Sequence, residues 1–416
     1  MHVTGLDHLV LVSDDPERLI AWYVDVLGLE PLRLERWRAG EVPFASLRVD
    51  AGTIVDVQRG SRSGTNVEHL ALVVDADPDA LAALAAGHGV DPPRDLFGAR
   101  GQGQGIYLRD PDGNGVELRT YSPARPAAAL ADPVDGFRLA HDDLGDGDPV
   151  VLLHGWPGDR HDFRDVVGRL TGSCRVVVPD LRGFGATERP AGAGAAEFAA
   201  GPQAAGVAGL IEQLGLGPVV VGGYDVGSRT AQELARSRPD LVRALVVSPP
   251  TPGAGPRVLT AAAQEQFWYQ HFHRLALAEH LVDGDPAAAR RYLAHFWSHW
   301  SGPGFTPDDA ELDRLAADYG RPGAFVASVN WYRAGAGTVA RSVAEQVPAP
   351  ADRIAVPTTV LWPEHDPLFP REWSDRLDAF FSDVDLRFLD GVGHFVPIEA
   401  AAEFAAAILT RVQESA

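Results

Sequence analysis

Two rhythms of hydrophobic positions divide the chain. Up to about residue 122, apolar and polar residues alternate in short runs broken by turns, and this rhythm gives way to a helical period only at Asp15 to Leu27 and Asp77 to Gly87. Each of these helices follows a strand that carries a histidine. In LDHLVLVS, Leu6, His8, Val10 and Val12 share a face; in VEHLALVV, Val67, His69, Ala71 and Val73 do. The two halves are therefore a weak internal repeat. Each also ends in a strand with a carboxylate among apolar residues, Asp56 in TIVDVQ and Glu117 in GVELRTY, the latter after the turn DPDGNG. A stretch rich in Pro and Ala over 123–136 has no period and is expected to be a linker. Beyond Phe137, wholly apolar runs alternate with helical segments, which predicts a largely parallel sheet. Its strands are expected at Pro149 to Leu153, Arg175 to Pro179, Pro218 to Val221, Val242 to Ser248, Thr358 to Trp362 and Asp385 to Leu389. A helical, aromatic-rich insert occupies about 251–346. The chain thus reads as two domains, an α+β one over 1–122 and an α/β one over 137–416.

Composition changes this picture little, but it excludes partners. With 36 basic and 57 acidic residues the net charge is -21, which disfavours nucleic acid and anionic membrane. A single cysteine, Cys174, leaves no intramolecular disulfide, and no apolar run is long enough to cross a bilayer. A cytoplasmic protein is expected, with a homodimer as one option.

The stretch VVVGGYDVGSR, Val219 to Arg229, carries the strongest chemical signal. A strand ends in a sharp turn and passes into a helix, with Gly223 and Gly227 on either side of Asp225. This is a nucleophile elbow with Asp where Ser usually stands. A carboxylate at neutral pH is already an anion, and it can displace a leaving group at saturated carbon to give an ester on the protein. The bond attacked is then C–O of an epoxide or C–halogen. Together with HGWPG (154–158), RGFG (182–185) and the order of strands, the elbow resembles the α/β-hydrolase fold over about 280 residues, and within it the epoxide hydrolase and dehalogenase branch. That resemblance implies a triad of Asp225, Asp366 and His394, with Glu364 a rival for the acid, and an oxyanion hole made by the N–H groups of Trp156 and Val226. It further implies that His154 supports its loop, that Pro157 follows a cis bond, and that the insert is a cap over the site. No cofactor is expected for this chemistry. In the cap, Tyr332 matches a tyrosine that in epoxide hydrolases donates to the epoxide oxygen; the place of the second tyrosine falls on His271 or Phe272, with Tyr269 a turn away.

In the first domain, two imidazoles and two carboxylates expected to point inward from four strands have the composition of a divalent-metal site. The segments DHLVLVSDDPERLIAWYVDVLGLEPL, EHLALVVD and YLRDPDGNGVELRTY resemble the vicinal oxygen chelate superfamily, which includes glyoxalases and extradiol dioxygenases. That resemblance implies paired βαβββ modules and places His8, Asp56, His69 and Glu117 at ligand positions for Fe, Mn or Zn. The leading expectation is an epoxide hydrolase acting on a hydrophobic small molecule. The alternative is a haloalkane or haloacid dehalogenase with the same nucleophile, for which Arg229 stands where fluoroacetate dehalogenases carry a carboxylate-binding Arg. In either case the first domain could be a metalloenzyme or a module for binding or dimerisation.

Overall fold

Residues 8–49, 53–61, 69–74, 78–98, 101–120 and 128–414 are described by the computed structural model. The change of rhythm corresponds to two compact units, 1–124 and 125–416.

The smaller unit is built twice from one plan. Strand β1 (His8–Ser13) leads into helix α1 (Pro16–Leu27), then β2 (Glu30–Leu32), the short α2 (Leu34–Arg38), β3 (Ala45–Arg48) and β4 (Ile54–Arg59), which form a sheet in the order β1-β4-β3-β2. Strand β5 (His69–Val73), α3 (Pro78–His88), β6 (Arg94–Gly98), β7 (Gly101–Arg109) and β8 (Gly115–Thr120) repeat it as β5-β8-β7-β6. The repeat extends to register: β1 pairs with β4 in parallel, His8 opposite Ile54, and β5 with β8, His69 opposite Gly115. Each carboxylate, Asp56 and Glu117, stands two residues further along the partner strand and hence on the same face as that histidine. Helix α1 starts where Asp15 accepts from the Arg18 N–H (3.3 Å) and stops at the left-handed Gly28. Its Leu19, Ile20 and Tyr23 join Leu47, Val55, Val57, Leu81, Val116 and Leu118 in one core. The outer face of each first strand is open instead: Val10 is 42% and Val73 51% exposed. Asp56 and Glu117 are buried, as inward-pointing carboxylates should be, but His69 is exposed. The side chain of His8 lies outside the described residues.

In the larger unit, β9 (Ala129–Leu130) pairs antiparallel with β10 (Ala140–Leu144), and Val134 bridges Phe137. Residues 129 and 130, expected as linker, are thus the sheet's edge strand; a two-residue strand is too short to show a period. Residues 123–127 of that linker lie outside the described residues. Next come β11 (Asp148–Leu153), α4 (Arg164–Leu170), β12 (Cys174–Pro179), α5 (Ala200–Gln213), β13 (Val219–Gly223), α6 (Val226–Ser237) and β14 (Val242–Val247). Seven cap helices follow: α7 (Ala261–Gln266), α8 (Trp268–Phe272), α9 (Ala276–Val282), α10 (Pro286–Trp300), α11 (Asp309–Tyr319), α12 (Ala324–Arg333) and α13 (Thr338–Val343). The chain then returns to β15 (Thr358–Pro363), β16 (Val384–Leu389), α14 (Val396–Glu399) and α15 (Ala401–Glu414). The sheet order is β16-β15-β14-β13-β11-β12-β10-β9, with β11 to β16 parallel. The chain leaves β11 for β12 on one side and later adds β13 on the other. At that reversal the loops after β11 and β13 diverge, leaving a crevice at the strands' carboxyl ends.

Candidate active site

Asp225 sits at this crevice, between β13 and α6, with φ 48° and ψ -117°, a backbone conformation costly for a residue with a Cβ. The turn closes because its neighbours lack side chains. A Cβ on Gly223 would stand 2.7 Å from the Gly227 carbonyl oxygen, and one on Gly227 would overlap the Leu153 carbonyl.

The loop after β11 supplies the first partner. Trp156 N–H donates to Asp225 Oδ1 at 2.7 Å, and the Trp156–Pro157 bond is cis. Val226 opens α6, so its N–H is among the donors left free of intrahelical bonds at a helix start. His154 is buried and spends both ring nitrogens on the backbone, Nδ1 facing the Gly155 carbonyl (2.9 Å) and Nε2 accepting from Leu181 N–H (3.0 Å). It has no nitrogen left for chemistry.

From the other side, His394 Nδ1 lies 2.8 Å from Asp366 Oδ2 and its Nε2 3.5 Å from Asp225 Oδ2. Glu364 is turned elsewhere, exposed and accepting from Gly391 N–H at 2.8 Å. Burial works against charge on His394, but the carboxylates, Asp366 above all, outweigh it and lift the imidazole from 6.5 to about 10. In the resting protein it is an imidazolium between two carboxylates.

The cap closes this triad under rings. Trp156 stacks on Tyr269 (centroids 5.8 Å, planes 3° apart) and meets Tyr332 edge-on at 6.0 Å; the two tyrosine rings are 5.6 Å apart. Both phenols are held well above their ordinary range, first by burial and then by nearby groups that include the Asp225 charge, so they remain donors. Of the three residues expected around the second donor, the structure brings in Tyr269. Phe272 is half-buried against Trp268 and Tyr292. His271, expected near this place, is exposed and does not face the triad, whereas Tyr269 is buried beside Tyr332. Arg229, one turn beyond Asp225, donates to the Thr251 carbonyl at 3.2 Å.

Sequence reasoning missed the groups that fasten cap to core. Glu399 accepts from three backbone N–H groups: Gly302 of the cap (2.8 Å), and Gly393 (2.9 Å) and Phe395 (3.1 Å) on either side of His394. The His394 N–H itself donates to the Trp300 carbonyl of the cap at 2.7 Å. On the opposite loop, Tyr319 OH donates to the Gly158 carbonyl (2.8 Å) and accepts from its N–H (3.0 Å), while Arg314 pairs with the buried Asp159 at 2.7 Å. A carboxylate six residues beyond a loop glycine, as in GHFVPIE, is the one available signal. It is a faint one.

In the smaller unit, His69 Nε2 lies 3.4 Å from Glu117 Oε2. That carboxylate also accepts from Tyr107 OH (2.9 Å) and Arg119 (3.2 Å). Asp56 accepts from Ser46 Oγ (2.5 Å), with Arg33 at 3.7 Å. Among the described residues no three His, Cys, Asp or Glu side chains converge. Of the expected ligands, only His69 and Glu117 come together among the described residues, which exclude the His8 side chain, and an arginine already faces each carboxylate.

Comparison with known proteins follows this division. Residues 148–401 match the family model of the α/β hydrolase fold, and residues 5–118 that of the glyoxalase/bleomycin resistance protein/dioxygenase superfamily. The chain is 28% identical over 272 residues to a soluble epoxide hydrolase of Corynebacterium sp., covering 64% of this chain and 90% of that one. It is 28% identical over 286 residues to haloalkane dehalogenase 2 of Mycobacterium bovis, covering 66% and 91%. The crystal structure of the Bacillus megaterium epoxide hydrolase, with an inhibitor bound, aligns with a TM-score of 0.58 at 18% identity over 68% of this chain and 100% of that one, a likeness of fold.

Proposed function

The chain belongs to the α/β hydrolase fold family, carries a glyoxalase-superfamily domain ahead of it and is a hydrolase, and we propose that it opens a hydrophobic epoxide through an ester on Asp225. What supports this most is the placing of two buried phenols, Tyr269 and Tyr332, around Trp156 in the cap that closes over the triad. Opening an epoxide creates an alkoxide, a basic leaving group that departs only as a donor meets the developing charge.

The two oxygens of Asp225 have separate duties. Oδ1 is held by the Trp156 N–H, which leaves Oδ2 to attack the epoxide carbon. The C–O bond breaks toward the tyrosines, and one of them delivers its proton to the alkoxide. Alkylation then removes one of the two negative charges that keep His394 protonated. Its pKa falls, its proton passes through solvent to return the tyrosinate to a phenol, and its Nε2 becomes a base for water. Asp366 holds Nδ1, which fixes the tautomer. The resulting hydroxide adds to the ester carbonyl, the oxyanion forms on Oδ1 beside the Trp156 N–H, and collapse releases the diol. The ring-lined cap suits an apolar substrate.

A halide would leave without a proton and needs fixed side-chain donors. The Trp156 indole N–H, the nearest such donor in the loop, is spent on Ser328 Oγ at 3.3 Å.

The test is a single turnover in isotopically heavy water. The product's new oxygen should be unlabelled, since it comes from Asp225, with the label appearing on the protein; label in the first product molecule would sink the ester mechanism.

A further inference from the structure

A second cavity of about 280 Å³ lies between helix α6 and the end of the cap, and none of Asp225, Trp156, Tyr269 or Tyr332 lines it. Its charged floor comes from the helical period of α6, which sets Arg229, Gln232 and Arg236 on one face. Arg236 is satisfied by Glu233 at 2.5 Å, and Gln232 donates to the Pro250 carbonyl at 2.9 Å. Arg229 is not satisfied. Its one hydrogen bond goes to the Thr251 carbonyl, its Nε is buried without a partner, and no carboxylate among the described residues comes within 4.0 Å of it. Burial pulls this guanidinium down to about 10, with Glu345 opposing that shift and the neighbouring Arg341 adding to it. Across the cavity stands Arg341 of α13, exposed and without an ion pair among the described residues. Three acids line the cavity, Glu233 being the one already paired with Arg236. Glu345 already accepts twice from Gly253 N–H (3.0 and 2.9 Å), and Asp352 sits exposed at the rim. The remaining wall is apolar, with Ala336, Pro348 and Phe380.

We propose that this cavity is a binding site for a small organic acid, its carboxylate taken between Arg229 and Arg341 and its apolar body laid against Ala336, Pro348 and Phe380. Two guanidiniums match a carboxylate's paired oxygens. The cavity is just below the size range of small-molecule pockets, about 300 Å³ upward. The ligand touches the protein one helical turn from the nucleophile, because Arg229 N–H donates to the Asp225 carbonyl at 3.3 Å. The site is separate from the epoxide chemistry and is read without it.

Calorimetric titration with sodium hexanoate tests the proposal, with hexan-1-ol and inorganic phosphate as comparison probes. Wild type should bind hexanoate and neither of the others. Arg341→Gln, a surface change, should weaken hexanoate about ten-fold, with Arg341→Lys recovering part of the loss, and Tyr332→Phe should leave it unchanged. Equal binding of hexan-1-ol or phosphate, indifference to Arg341→Gln, or a loss in Tyr332→Phe would each overturn the site, the last by placing hexanoate in the catalytic cavity. Turnover does not enter the measurement, so failure of the epoxide reading leaves this result standing.

Discussion

Asp225 and His394 are set against each other in charge, and their chemistry follows from that opposition. The imidazole is raised from 6.5 to about 10 in the folded chain. Its contribution to stability is therefore fully present below about pH 6.5 and lost as pH rises through about 10. Urea unfolding of wild type and His394→Gln should show a stability gap that is constant near pH 6 and shrinks toward pH 10. A gap that grew with pH would contradict an imidazolium ground state. In the alkylated protein the same residue should titrate lower, so ester hydrolysis in single turnovers should have its inflection well below pH 10. The tyrosines act before that step. Tyr332→Phe and Tyr269→Phe should each slow alkylation by about 10²-fold, in the range ascribed to a positioned acid, with the ester step little changed. Rapid-mixing measurement of Asp225 alkylation decides this, and unimpaired opening in both variants, alongside halide release from a haloalkane, would favour the dehalogenase reading. That Asp225, Asp366 and His394 fall in turns after strands was legible because motif and chain order agree there. The second phenol was not. Helix α8 is five residues long, too short for periodicity to fix its phase, so sequence could not say that Tyr269 faces inward and His271 outward.

At the level of elements, the parallel strands β11 to β15 were readable to within a residue or two because strands buried on both faces are continuous apolar runs, and the edge strand β16, only partly buried, was read as closely. The edge pair β9 and β10 lacks such a run and went unseen. Contacts between elements left still less trace. Glu399 joins the cap to the loop of His394 through three N–H groups, and all three are backbone donors that no side chain announces. Glu399→Ala would leave all three without that acceptor and should cost about 2 kcal/mol of stability. Because His394 sits between two of them, kcat should fall while the phenol-dependent alkylation step holds. Loss of stability alone, with kcat intact, would make Glu399 a structural tie and nothing more.

For the molecule as a whole, the change of hydrophobic rhythm placed the division into two units close to where the chain divides, and the repeat inside the first unit extends to its register of strands. What the sequence could not supply was the charge beside Asp56, because Arg33 comes from a position no spacing rule connects to it; Arg119, two residues beyond Glu117 on β8, shares its face and was there to be read. The proposed hydrolysis uses side chains of the larger unit alone. Epoxide turnover should therefore be unchanged after dialysis against a chelator and in His69→Ala, measured on the full chain. Loss of turnover in either would tie the smaller unit to the chemistry.

The ties of Glu399 to Gly302 and of Tyr319 to Gly158 also govern traffic. A roof bolted to both catalytic loops cannot swing clear to admit cargo without dismantling the oxyanion site on one side or the base on the other. On the proposed reading, epoxide threads inward and diol outward past rotating side chains while the roof stays put. Passage of that kind is limited by the girth of the molecule and by internal friction. Turnover should drop sharply with substrate width and respond only weakly to glycerol or sucrose thickening the solvent.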